Sequence, residues 1–393
     1  MSLKLARRVT TNMSERFAVA QAPRKEIHLE AIRGIAASVV LFGHVCMAFF
    51  WGFWTDPAMH GSVFFVVVNG GAAVQLFFVL SGFVLSRRYF QTGDAAPMII
   101  GIIKRWPRLA GPVTASLLIA CALYTLNGYY YAEAGHLSGS PWLENFASSG
   151  APPPSIFSYQ NAILQGAYYT FFYGDTSLNS STWTMLPELY GSFLVYGPAA
   201  VLIVGAKVSK LACLCIFLIA IVALSANHIL WSFLAGVMLA FYCKRADDRT
   251  ISALIALAVG LYLLGYQENI GAYGFFTVEP RHQAYVYLVG SCLLLWSFEV
   301  SSLQRSWLSG RYSAWLGELS FPLYLVQVSA ITSIGSYVYL QMGAYAAAVM
   351  SIAGAVTLSI PLIYFNRWWL ALLNRCAASI FSFGNPTGYG VSK

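Results

Sequence analysis

Arg33 and His44 stand eleven positions apart in the stretch Glu30-Ala-Ile-Arg-Gly-Ile-Ala-Ala-Ser-Val-Val-Leu-Phe-Gly-His-Val-Cys-Met47. Eleven helical steps of 100° end about 20° past three full turns, with a rise of about 16 Å, so the two side chains share one helix face. From Gly34 to Thr55 the chain carries no formal charge at neutral pH, a run long enough to cross the ~30 Å hydrocarbon core of a bilayer. An ionisable side chain at that depth is costly and, where it faces a cavity, marks a functional site. Taken singly, Arg33 also fits a positive-inside anchor and His44 a neutral hydrogen-bonding residue between helices. Together on one stripe they shift the reading toward a site.

Three further places carry polar chemistry. Pro97-Met-Ile-Ile-Gly-Ile-Ile-Lys-Arg-Trp-Pro-Arg108 opens as a short apolar segment and closes in a basic cluster. With Pro107 at the first position of a helix, Arg105 and Arg108 would flank free N–H groups as an anion site, or else touch lipid headgroups. The second run, Gln75-Leu-Phe-Phe-Val-Leu-Ser-Gly-Phe-Val-Leu-Ser-Arg-Arg88, holds Ser81 and Gly82, which admit either another helix or a thin ligand chain. In Ser181-Thr-Trp-Thr-Met-Leu-Pro-Glu-Leu-Tyr190, Pro187 and Glu188 fall in a first helical turn. There Glu188 is either a dipole-favoured acid or a buried acid near His44.

The elements that must position these residues are membrane helices. The 393 residues are 58% hydrophobic and only 10% charged, against about 25% charged in a soluble globular protein. Ten candidate spans lie at roughly 31–51, 62–86, 109–128, 187–206, 209–225, 228–243, 250–266, 283–300, 317–338 and 344–366. That count puts both termini on one side, where 22 of the 23 Lys and Arg residues then collect, leaving Arg281 opposite. The basic side is therefore cytoplasmic. The net charge of +8 thus has a membrane address and calls for no nucleic acid. The expected fold is all-α, a polytopic membrane helical bundle of about ten helices: tail 1–28, membrane domain 29–370, tail 371–393. The first tail lacks the apolar core and cleavage site of a signal peptide. The seven cysteines show no metal-ligand spacing, and no metal is expected.

On the opposite side one long connection, about 129–182, is rich in Gly, Ser, Pro and aromatics and has no Lys or Arg. Within it Gln160–Tyr173 is too short to span and reads as an interfacial or re-entrant piece that could roof a cavity.

These residues resemble acyltransferase family 3, multi-span membrane O-acyltransferases that acylate envelope glycans and secreted oligosaccharides. The resemblance rests on Arg33 with His44, the Phe77-Phe-Val-Leu-Ser-Gly-Phe83 run, the Arg105-Trp-Pro-Arg108 pair and the Trp183-Thr-Met-Leu-Pro-Glu188 run, with the later Trp315-Leu-Gly-Glu-Leu-Ser-Phe-Pro-Leu-Tyr-Leu-Val-Gln327 segment. Family members often carry a histidine near Gln327, and this chain departs there.

The resemblance implies an acyl-CoA donor, acetyl-CoA above all, as a substrate and no permanently bound cofactor, with a glycan or oligosaccharide as acceptor. Arg33, Arg105 and Arg108 would hold the donor's phosphates, and its pantetheine arm would pass Ser81 and Gly82. His44 would act as general base for the attacking hydroxyl, with Trp183 and Glu188 on the acceptor side. No glycine-flanked nucleophile elbow is present, so direct transfer is expected over a covalent enzyme intermediate. Localisation follows as multi-pass in the cell membrane, the inner membrane in a Gram-negative source. The chain would act alone or with a separate extracytoplasmic partner. The competing class is a proton-coupled transporter of an anion. Its internal repeats are not found, and the polar residues concentrate in spans one to four.

Overall fold

The first apolar run folds as one helix, α1 (Ile27–Phe49), and packs chiefly against the helices over 311–330 and 70–92. In the computed structural model the described residues are 26–92, 96–150, 152–204, 228–243, 248–267, 270–275, 278–279 and 282–382. Among them are only helices and the turns that join them, with no strand. The long elements are α2 (Gly70–Thr92), α3 (Ala96–Thr125), α7 (Met185–Val204), α8 (His228–Tyr242), α9 (Thr250–Leu264), α10 (Gln283–Val300), α11 (Arg311–Ala330) and α12 (Ala344–Ser382). Shorter ones, α4 (Tyr131–Ser138), α5 (Pro141–Glu144) and α6 (Tyr159–Leu164), occupy the long connection between α3 and α7. Without water to satisfy the backbone at membrane depth, an all-helical answer is what such composition permits.

Among the described residues six helices are long and apolar enough to cross a membrane, and two shorter apolar ones cover 229–242 and 250–264. The expected span at 209–225 lies outside the described residues, as do Arg281 and both chain ends.

Two close crossings fix the centre. On α1 a Cβ at Gly34 would stand 2.5 Å from the Leu316 carbonyl oxygen, and on α11 one at Gly317 would stand 2.5 Å from Glu30 Cβ. The α2 and α8 helices meet the same way, since a Cβ at Gly82 would lie 2.1 Å from the Phe233 carbonyl oxygen and one at Gly236 2.1 Å from that of Val79. Small residues let helix backbones touch where lipid supplies no hydrophobic drive. Gly82 therefore packs α2 on α8, the helix-packing alternative read from the sequence, and is not among the residues that line the cavity reached by Ser81. Gly82→Ala is expected to cost about 1–3 kcal/mol through overpacking. A lower unfolding temperature with unchanged donor affinity in the folded fraction would show it; the reverse pattern would restore a ligand channel.

The basic cluster also differs from expectation. Pro107 does not open a helix: α3 runs on through Pro107 and Pro112. In place of a free helix N-terminus, Arg105 and Arg108 project from a continuous helix. Proline in a membrane helix is tolerated where neighbouring helices surround it, and α12 packs against this turn, its Trp369 indole donating to the Pro107 carbonyl at 2.8 Å.

Candidate active site

The connection before α7 decides where Glu188 goes. Ser158 accepts from Cys121 Sγ at 3.5 Å, α6 and the following π turn (Gln165–Tyr169) descend along α3, and the Trp106 indole donates to the Ala167 carbonyl at 2.9 Å. A Cβ on Gly166 would meet Thr114 Cα at 2.5 Å, so the approach is close. The chain reverses at Gly174, whose φ of +70° suits glycine. Asn179 then pins the return by donating to the Leu325 carbonyl of α11 at 2.6 Å. The segment is thus re-entrant against α3. It delivers Glu188, in the first turn of α7, to the level of Arg105.

There a cavity of about 270 Å³ opens among α1, α2, α3, α7, α11 and α12. Arg33, Ser81, Arg105, Arg108 and Glu188, five of the residues singled out in the sequence, line it together. Arg105 is buried, 8% exposed. Its Nη2 pairs closely with Glu188 Oε1, and its Nε donates to Ser192 Oγ at 2.7 Å. Ser81 Oγ donates to the same Glu188 oxygen at 2.8 Å. Glu188 is therefore held on the arginine side and does not face His44, against the expectation drawn from its position at the outer end of a span. The reason is the re-entrant segment, which moves the start of α7 inward.

Two further charged pairs sit on this wall. Arg33 Nη1 donates to Glu30 Oε1 at 3.3 Å, and Arg367 of α12 pairs with Glu318 of α11. Arg367, Glu318 and Tyr324 were not singled out from the sequence as site residues. Arg367 entered only the count of charges on one side, while Glu318 and Tyr324 lie inside the Trp315–Gln327 run and carry no spacing signal of their own.

His44 lines a second cavity of about 240 Å³ with Trp54, His60, Asn69, Trp183 and Gln267. Asn69 also caps α2, accepting from Ala72 N at 3.1 Å. The short helices α4 and α5 form a roof: Ser140 Oγ donates to the Met47 carbonyl at 2.6 Å, and Trp142 stacks on the His44 ring at 5.0 Å between centroids and 21° between planes. Gln327 is the polar neighbour of the imidazole on α11. Among the described residues, neither His44 Nδ1 nor Gln327 Oε1 has a hydrogen-bond partner. Nothing in the sequence distinguished Trp142 from the other aromatics of the loop.

Arg33 and His44 thus serve two cavities stacked along α1, and both cavities are walled by Val74 and Tyr324. A family model described as an acyltransferase domain matches residues 26–377. The chain belongs to acyltransferase family 3. No curated protein and no solved structure matches it. Membership makes the protein a membrane acyltransferase, and the two stacked cavities are the candidate site of this acyltransferase.

Proposed function

We propose that the protein transfers an acyl group, acetyl in the first instance, from cytoplasmic acyl-CoA to a hydroxyl of a glycan or exported oligosaccharide at the cell membrane. The observation that carries this reading is the pair of adjoining cavities, one walled by four guanidinium groups and the other by the one histidine of α1 that lies at membrane depth. Arg33, Arg105, Arg108 and Arg367 match a polyanionic nucleotide end, because guanidinium forks engage phosphate oxygens in pairs. The acyl-pantetheine arm passes Ser81 toward Tyr324.

The acceptor occupies the second cavity, where Trp54 and Trp183 offer apolar faces and His60 and Gln267 offer polar groups. Its hydroxyl oxygen attacks the thioester carbonyl carbon as His44 takes the hydroxyl proton. The C–S bond then breaks, and the leaving sulfur receives that proton from the imidazolium. Trp142 and Gln327 hold the imidazole for this task. Glu188, with its partner Ser81, orients Arg105 toward the donor and has no part in the proton path.

The direct test uses the full chain in lipid nanodiscs with acetyl-CoA labelled in the acetyl group, and compares the envelope glycans of cells with and without the protein by mass spectrometry. Acetyl-sized mass differences together with label transfer support the reading. Nanodisc protein that binds no acyl-CoA sinks it.

The ion pairs supply a second prediction on the donor. Glu318 pairs with Arg367, so a phosphate must compete with a tethered carboxylate. Glu318→Gln is expected to tighten donor binding severalfold at low salt, and the gain should shrink as ionic strength rises. Titration of the variant with acetyl-CoA at two salt concentrations checks it.

A further inference from the structure

Val74 and Tyr324 are the two residues common to both cavity walls. Val74 is apolar; Tyr324 brings a phenol to the place where thioester and hydroxyl have to meet. Its ring is 6% exposed and is backed edge-on by Phe77, with centroids 6.0 Å apart. Its hydroxyl oxygen accepts a hydrogen bond from Thr184 Oγ1 at 3.1 Å. Thr184 Oγ1 also lies 3.5 Å from the Ser181 carbonyl, but the phenol oxygen is the nearer acceptor; with Thr184 donating there, the phenol's own proton is not consumed in that bond, and no hydrogen bond given by Tyr324 occurs among the described residues. Tyr324 stands three residues before Gln327, whose amide donates to the Tyr324 carbonyl at 3.3 Å and whose side chain neighbours His44. Phenol and imidazole therefore approach the junction from α11 and α1, helices that cross closely at Gly34 and Gly317.

We propose that Tyr324 is a catalytic residue whose hydroxyl donates a hydrogen bond to the thioester carbonyl oxygen and to the oxyanion that forms from it. The assignment rests on the acyl-CoA reading above. When the acceptor oxygen bonds to the carbonyl carbon, the C=O pair moves onto oxygen while His44 takes the acceptor's proton. When the intermediate collapses, that pair re-forms C=O, the C–S bond breaks, and the sulfur takes the proton from His44. Tyr324 keeps its proton throughout, and Thr184 aims it. A fixed donor in a water-poor site is worth most where charge develops, which is at this oxygen.

The variant Tyr324→Phe keeps the ring as a partition and removes only the hydroxyl. It is expected to lower kcat by about 10²–10³-fold, the usual loss for one oxyanion donor, with donor KM and directly titrated acetyl-CoA affinity within twofold of wild type. Wild-type kcat in Tyr324→Phe overturns the assignment, and so does a loss confined to donor affinity, which would make Tyr324 a wall. Thr184→Val is the second arm and guards against a Tyr324 variant that does not fold. It should cost kcat severalfold at constant donor affinity, and an unchanged kcat counts against the proposal. Wild-type protein that fails to bind acetyl-CoA refutes the acyl-CoA reading itself, whereas normal binding with normal transfer in both variants refutes Tyr324 alone.

Discussion

His44→Ala is expected to lower acyl transfer by about 10²–10⁴-fold, the range a positioned base supplies, while donor affinity and membrane insertion stay near wild type. The structural basis is separation: His44 lines the second cavity, whereas every arginine assigned to the donor lines the first. Loss of the imidazole therefore removes a proton acceptor without touching a phosphate ligand. It does remove the ring against which Trp142 stacks. His44→Gln, which keeps a planar side chain there, should be just as inactive and should separate loss of the base from loss of roof packing. Transfer at the wild-type rate in either correctly inserted variant would end the base assignment.

The second large effect belongs to Arg105. Lysine keeps the charge but cannot replace a fork that reaches Ser192 through Nε and Glu188 through Nη2. Arg105→Lys is expected to raise the donor dissociation constant at least tenfold, about 1.4 kcal/mol. Arg105→Leu should do worse and also lower stability, because it leaves the Glu188 carboxylate, 14% exposed, without its cation. Glu188→Gln is expected to weaken donor binding rather than acceptor use. Combined with Arg105→Lys it should cost less than the sum of the two single changes, since both disturb one interaction. Isothermal titration with acetyl-CoA across this cycle measures the coupling. Strict additivity, or a Glu188→Gln defect seen only in acceptor KM, would return Glu188 to the acceptor side.

Much of this molecule is written locally. Composition and the length of the apolar runs require membrane helices, because a backbone in hydrocarbon must satisfy its own hydrogen bonds. The 3.6-residue period places Arg33 and His44 on one face of α1 whatever packs beside it. The Gln160–Tyr173 stretch is too short to span and too aromatic for a free loop, which left an interfacial or a re-entrant course open; its contacts along α3 came only from packing. Chain order, spacing and residue type together were enough to show the resemblance to acyltransferase family 3.

What the sequence left open are contacts between segments far apart in the chain. Glu188 and Arg105 are 83 residues apart, and they meet because the chain dips along α3 and turns back at Gly174, a depth that no helical period encodes. Gly82 belongs to a helix crossing rather than to a ligand path because Phe233 lies over it, a partner 151 residues away that only packing selects. Pro107 reads locally as a helix start. It lies inside α3, a continuous helix packed against α12 at this turn, and that packing partner is 262 residues away. Tyr324 is one apolar-stripe residue among many until two cavities close on either side of it. A residue's type and period fix which way it points on its own helix; what it points at is set by the energetics of all the helices packed together.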